Sequence, residues 1–170
     1  MAMLNSFELF GLEPKFAIDE AALKAAHDRA ILKVHPDRFA GRPAAERRVA
    51  EQWSARINES YAALADPVRR AALLCESAGR PVGAETDTRM PVDFLMEQMS
   101  WREALDAARS EAERAAVRDR AEARRRETLA ALADAIDVRK DWDAAHDLTR
   151  RLMFIARFLE QTAAAAPAAL

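Results

Sequence analysis

Apolar residues in this chain return mostly at three- and four-residue intervals and seldom alternate, which predicts helices rather than strands. "NSFELFGL" makes one or two turns closed by Gly11. In "FAIDEAALKAAHDRAILKV", Leu23, Ala26, Ala30 and Val34 share a face, and Asp19 is suited to cap the helix start. Pro36 ends that helix, because the residue before a proline avoids the α region. The loop "HPDRFAGRP" leads to a long helix starting near Pro43, with Val49, Trp53, Ile57, Tyr61 and Leu64 as its expected buried stripe. Asp66 and Pro67 end this helix, and "VRRAALLCESAG" is a short helix closed by Gly79.

From Gly79 to Pro91, prolines and glycines replace the apolar period, so a linker is expected over 79–90. Three helical patterns follow, roughly Asp93–Ser110, Ala112–Asp137 and Asp141–Gln161, before a tail expected to fray. Val117, Ala121, Leu129, Leu132 and Ile136 form the inner face of the middle one. The expected fold is all-α: an N-terminal helical hairpin over 1–78, the linker, and an antiparallel three-helix bundle over 91–170.

The helix from Asp93 carries more apolar surface than one core can cover. With Phe94 at zero and 100° per residue, Trp101, Leu105 and Ala108 fall within about 40° of it. Leu95, Met99, Glu103 and Met96 fall at about 100°, 140°, 180° and 200°, on a second face. Such a face either packs on the first domain or meets another protein. Methionine suits a binding surface because it adapts its shape. In the last helix Ala145, Leu148, Leu152, Ile155, Ala156 and Leu159 share a stripe. Phe154 and Phe158 lie off it, and for Phe154 the alternatives are a wide core, an exposed aromatic or a contact residue.

Composition narrows the classes. The chain has 170 residues, 51% hydrophobic and 32% charged, fitting a soluble folded protein of one or two small domains. Only 4 glycines occur, while Ala, Leu, Glu and Arg abound, again favouring helices. A net charge of −2 gives no electrostatic case for nucleic acid. One cysteine, Cys75, excludes an internal disulfide and a cysteine-cluster zinc or iron–sulfur site; its apolar setting makes it a small buried hydrophobe. No apolar run is long enough for a membrane span, no signal peptide is read at the N-terminus, and no Gly-rich phosphate loop occurs. The expected location is a reducing cytoplasm, with no cofactor and no metal.

The triplet His35-Pro36-Asp37 admits three readings: a helix-ending turn, a metal or catalytic site, or a recognition tip. Metal binding lacks support, since His27 and His146 stand at no recognisable ligand spacing. As a tip, Pro36 lowers the ordering cost of the loop, and Asp37 offers a carboxylate suited to a partner's arginine. The flanks then decide. "LKAAHDRAILKVHPDRF" with "RINESYAALADPVRRAALL" closely resembles the J-domain of co-chaperones, through His35, Pro36, Asp37, Arg38, Ile57, Asn58, Glu59, Tyr61, Leu64, Asp66, Pro67 and Arg70. This resemblance covers about Phe7 to Leu74. It implies a partner, a DnaK-class heat-shock ATPase, whose hydrolysis a J-domain accelerates. The turn would contact that ATPase together with basic residues, here Lys24, Arg29, Lys33 and Arg38. Asp28 stands where many J-domains carry a basic residue, which weakens the patch.

"FLMEQ--REAL" and a late "RRLMFIARFL", after such a domain, resemble the HscB family, the specialised J-proteins of iron–sulfur cluster biogenesis. The likeness spans Phe7 to about Glu160. It implies a non-enzymatic adaptor whose second domain binds the cluster scaffold IscU and whose J-domain engages an HscA-type chaperone. The scaffold-binding residues would be Leu95, Met96, Met99 and Phe154, with Glu103 as a polar neighbour. Eukaryotic members begin with a zinc-binding cysteine module, absent here, so a bacterial-type protein is expected. Ser100 and Ala107 replace acidic residues common in the family, so the contact is expected to be more apolar. The rivals are a general J-protein with unfolded-protein clients and a metal-dependent hydrolase using His35 and Asp37.

Overall fold

The computed structural model describes residues 5–83 and 89–164. The described residues form helices and turns only, and they fall into two compact units divided between Leu74 and Cys75. The middle of the expected linker, 84–88, and the expected frayed tail from 165 lie outside the described residues.

In the first unit, α1 (Ser6–Leu9), α2 (Glu20–Val34), a 3-10 turn (Pro36–Phe39) and α3 (Ala44–Ala65) lead into α4 (Pro67–Ser77). Asn5 and Glu8 form a reciprocal capping box on α1. Asp19 caps α2, accepting the Ala21 and Ala22 amides at 2.9 and 3.1 Å, as its position predicts. The chain ends α4 at Gly79, whose φ of 79° a side chain would resist; the Arg80 amide bonds back to the Cys75 carbonyl at 2.8 Å. Phe7, Phe10, Phe16, Leu23, Ala26, Ile57 and Leu64 supply the core. Arg70 is buried too; it donates to the Leu64 carbonyl at 2.6 Å and covers the Phe16 ring.

The α3 stripe differs from the sequence expectation. Ile57 and Leu64 are buried, but Val49 is 53% and Trp53 38% exposed, with Ala50, Ser60 and Ala63 buried instead. The reason is length. At 1.5 Å per residue α3 outruns α2 by about 10 Å. α1 packs on α3 near Ser60, where Ser6 and Ser60 hydroxyls meet at 3.2 Å. The N-terminal half of α3 therefore has apolar positions with no helix laid over them.

The second unit contains α5 (Val92–Ala107), α6 (Glu111–Ala133), a π turn (Asp134–Arg139) and α7 (Trp142–Ala164), forming the antiparallel bundle. Met90, Phe94, Trp101, Val117, Ala121, Ile155 and Phe158 form one core cluster. Phe158 thus belongs to the core rather than off its edge, with its ring centroid 5.4 Å from that of Trp101. On α7 the buried Ala145, Thr149, Leu152, Ile155 and Phe158 span an arc wider than a single stripe. On α6, Thr128 is buried and Leu129 only half-buried. Thr128 and Thr149 each donate their hydroxyl to the carbonyl four residues back, at 2.8 and 2.7 Å, which makes a polar side chain tolerable inside. The π turn ends at Lys140 in the left-handed region, φ 53°. Arg139 clasps Asp134 and Asp141, at 2.6 and 3.1 Å, and Asp141 accepts the Ala144 amide at the start of α7.

Candidate protein-binding surfaces

The His35-Pro36-Asp37 turn is built from the end of α2. His35 leaves the helix with φ −56° and ψ 133°, the extended geometry a following proline demands. Pro36 then starts the 3-10 turn. The Asp37 amide donates to His35 Nδ1 at 3.3 Å, and the Arg38 amide to the His35 carbonyl at 3.0 Å. The Asp37 side chain is 92% exposed and 3.6 Å from His35 Nδ1. The carbonyl of Val34, orphaned at the end of α2, accepts the Ser54 hydroxyl of α3 at 3.3 Å. A second tie was not read from the sequence: His27 Nε2 lies 2.8 Å from Asn58 Oδ1 and its ring 4.4 Å from that of Tyr61. His27, set aside as a metal ligand, joins α2 to α3 below the turn. Its signal was the apolar face of α2, on which it falls seven residues before Val34.

The basic residues divide. Arg29 and Lys33 are one turn apart and exposed, and neither they nor Arg38 have an ion-pair partner among the described residues. Lys24 stands about 140° around α2 from Arg29 and about 180° from Lys33, so the structure does not bring it to their side. It is bound to Asp28 at 3.2 Å. Hydrogen bonds from Lys24 and then His27 hold the Asp28 carboxyl below the usual carboxylate range. Among the described residues no group of three or more His, Cys, Asp or Glu is placed to hold a metal ion.

On α5 the second apolar face is open: Leu95 is 43%, Met96 64% and Met99 59% exposed, and Glu103 is exposed beyond them. Phe94 and Trp101 point the other way into the core. Phe154 of α7 is half-buried and edge-on to Phe94, 6.4 Å between centroids, which sets it at the α5–α7 seam beside the chain neighbour of Leu95. Arg157 lies over its ring at 5.7 Å. Ser100 returns its hydroxyl to the Glu97 carbonyl at 2.9 Å.

A helical hairpin bearing this turn, followed by a three-helix bundle with one uncovered face, has the architecture of a J-type co-chaperone. Residues 90–163 match the family model described as the HSCB C-terminal oligomerisation domain. The chain is 49% identical over 168 residues to the co-chaperone HscB homolog of Bordetella avium, covering 98% of this chain and 100% of that protein. Among solved structures, human co-chaperone HscB superposes with a TM-score of 0.91 at 25% identity, covering 96% of this chain and 83% of that one. HscB from Vibrio cholerae does so with a TM-score of 0.82 at 34% identity, covering 95% and 96%. The chain belongs to the HscB family, the J-type co-chaperones of iron–sulfur cluster assembly. Among the described residues, no helix is long and apolar enough to cross a membrane.

Proposed function

We propose that this chain stimulates ATP hydrolysis by an HscA-type chaperone of the Hsp70 class and delivers an IscU-type scaffold protein to it in the cytoplasm. Residues 1–78 engage the chaperone, and residues 91–170 hold the scaffold. The observation that carries the reading is the presentation of Asp37. Its carboxylate is almost fully exposed on a proline-stiffened turn, and nearby in the chain Arg29, Lys33 and Arg38 have no ion-pair partner among the described residues. A fixed carboxylate bonds an arginine of the partner in two-point fashion with little ordering cost. The free cations steer the turn to an acidic surface. The open Leu95, Met96 and Met99 face, with Phe154 at the α5–α7 seam and Glu103 at the polar edge, supplies an apolar patch of the kind that anchors a protein partner.

The test is steady-state ATP hydrolysis by the HscA-type chaperone, with and without scaffold and this chain. Wild-type chain with scaffold raises turnover. His35→Gln keeps helicity and scaffold binding but abolishes the stimulation. Normal stimulation by His35→Gln would refute the role given to the turn. Stoichiometric capture of unfolded model clients in place of scaffold would assign the chain to general chaperone work.

A further inference from the structure

We propose that Arg151 of α7 is a positioning residue for scaffold binding: it fixes Phe94 and, through Phe94, holds Phe154 in the pose the scaffold meets. The inference rests on the reading of the α5 face given above and adds to it a residue outside that face. The backbones of α5 and α6 come close together, whereas α5 and α7 are joined mainly by long side chains. Phe94 and Phe154 bridge that seam with 6.4 Å between ring centroids, and Trp101 and Phe158 bridge it further along. With no close α5 backbone to rest on, the pose of the half-buried Phe154 depends on the ring it leans against.

That ring is itself held. The Arg151 guanidinium lies over Phe94, its carbon 5.3 Å from the ring centre, within range of the attraction between a cation and an aromatic face. The guanidinium is anchored in turn. Its Nε donates to Asp147 Oδ2 at 2.9 Å, one turn back on α7, and its Nη1 lies 3.8 Å from Asp93 Oδ2 in the first turn of α5. The Arg151 side chain is 19% exposed, little for an arginine on an outer helix. An acid four residues before a base is the favourable order on a helix. A planar guanidinium can lie on a ring while its edge donors bond sideways, which a lysine ammonium cannot do. The contacts therefore run from Asp147 through Arg151 and Phe94 to Phe154. They start about 10 Å down α7 from the ring they position. A ring held still beforehand loses less freedom when a partner closes on it.

Calorimetric titration of the IscU-type scaffold into Arg151→Met, Phe154→Ala and the double variant tests the proposal. Arg151→Met is expected to raise the scaffold Kd about fivefold, the cost of ordering a loosened side chain on binding, with a melting temperature close to wild type. In the Phe154→Ala background the same change is expected to leave Kd nearly where Phe154→Ala alone puts it, because the ring that Arg151 positions is gone. A general structural role, or a direct contact between Arg151 and the scaffold, gives the same fold-change in both backgrounds and overturns the proposal. A wild-type Kd for Arg151→Met overturns it too. If Arg151→Met unfolds, Asp147→Asn takes its place: it frees Nε of Arg151 at a half-exposed position, and the expected rise is smaller, in the same direction, and again absent without Phe154. A wild-type Kd for Asp147→Asn then overturns the proposal. Leu95→Ala run alongside separates the two ideas. If it weakens binding while Arg151→Met does not, the positioning role falls and the α5 face stands. If Leu95→Ala and Phe154→Ala both bind scaffold as wild type does, the face falls and the positioning role with it.

Discussion

Single side chains on the α5 face proposed to bind the scaffold are expected to carry unequal loads, and solvent exposure ranks them. Leu95 and Met99 stand in water on one side of α5, so cutting them back removes little packing. Phe154 is different, because its ring edge leans on Phe94, which is 1% exposed in the core. Leu95→Ala is expected to weaken scaffold binding by about 1–4 kcal/mol and leave the melting temperature nearly unchanged. Adding Phe154→Ala is expected to weaken binding further and also to cost about 1–2 kcal/mol of stability, less than the 3–5 kcal/mol typical of a fully buried phenylalanine. Calorimetric binding and denaturant unfolding on the same variants check both. A large fall in stability for Leu95→Ala alone would place that residue in the core. Helix spacing was enough to pick out Leu95, Met96 and Met99. It left Phe154 open between core and contact, because a half-buried position at a seam is set by the neighbouring helix.

Whole helices settle which charges act together. Along α2 the sequence offers Lys24, Arg29 and Lys33 as one basic group, but the turn angle of the helix separates them. Lys24 faces away from Lys33 and is held by Asp28, whereas Arg29 and Lys33 share a flank with no partner of their own among the described residues. Lys33→Ala is therefore expected to raise the half-maximal concentration for chaperone stimulation several-fold more than Lys24→Ala, with the difference shrinking at high salt. Equal effects from the two would mean that the partner wraps α2 from both sides. The helix boundaries show the same division. Asp19, Gly11, Pro36 and Gly79 announce their roles by residue type alone. The end of α6 does not: it closes through a π turn with Lys140, not glycine, in the left-handed region, secured by Arg139 between Asp134 and Asp141. No local residue preference points to that arrangement.

On the alkaline side, the buried thiol of Cys75 is expected to make the stability of the molecule depend on pH. Cys75 is fully buried, and desolvation pushes its thiol up from the ordinary value of 9.0, with the Thr149 hydroxyl, 4.0 Å away, opposing the shift. A raised folded-state value means the folded chain holds its proton longer than the unfolded chain. The associated stability is fully present below the unfolded-state value and is lost as pH rises through it toward the folded-state value. The unfolding free energy of the wild type is thus expected to fall above about pH 9, more steeply than that of Cys75→Ala. Urea unfolding of both proteins between neutral and alkaline pH measures this. Parallel pH profiles would show that the thiol is open to water in the folded state.

What the chain alone determined is its helical content, its order of elements, its family and its turn, because each rests on residue types at short spacing: period, caps, prolines and the His-Pro-Asp triplet with its flanks. What only the tertiary structure decided is which apolar positions find a neighbour. Val49 and Trp53 read as core and stand open because α3 is longer than the helices beside it. Phe158 reads as marginal and is buried because Trp101 of α5 and Val117 and Ala121 of α6 pack with it in one cluster. A helix's own periodicity states where its apolar side lies; the length and placement of the elements packed against it state how much of that side is hidden.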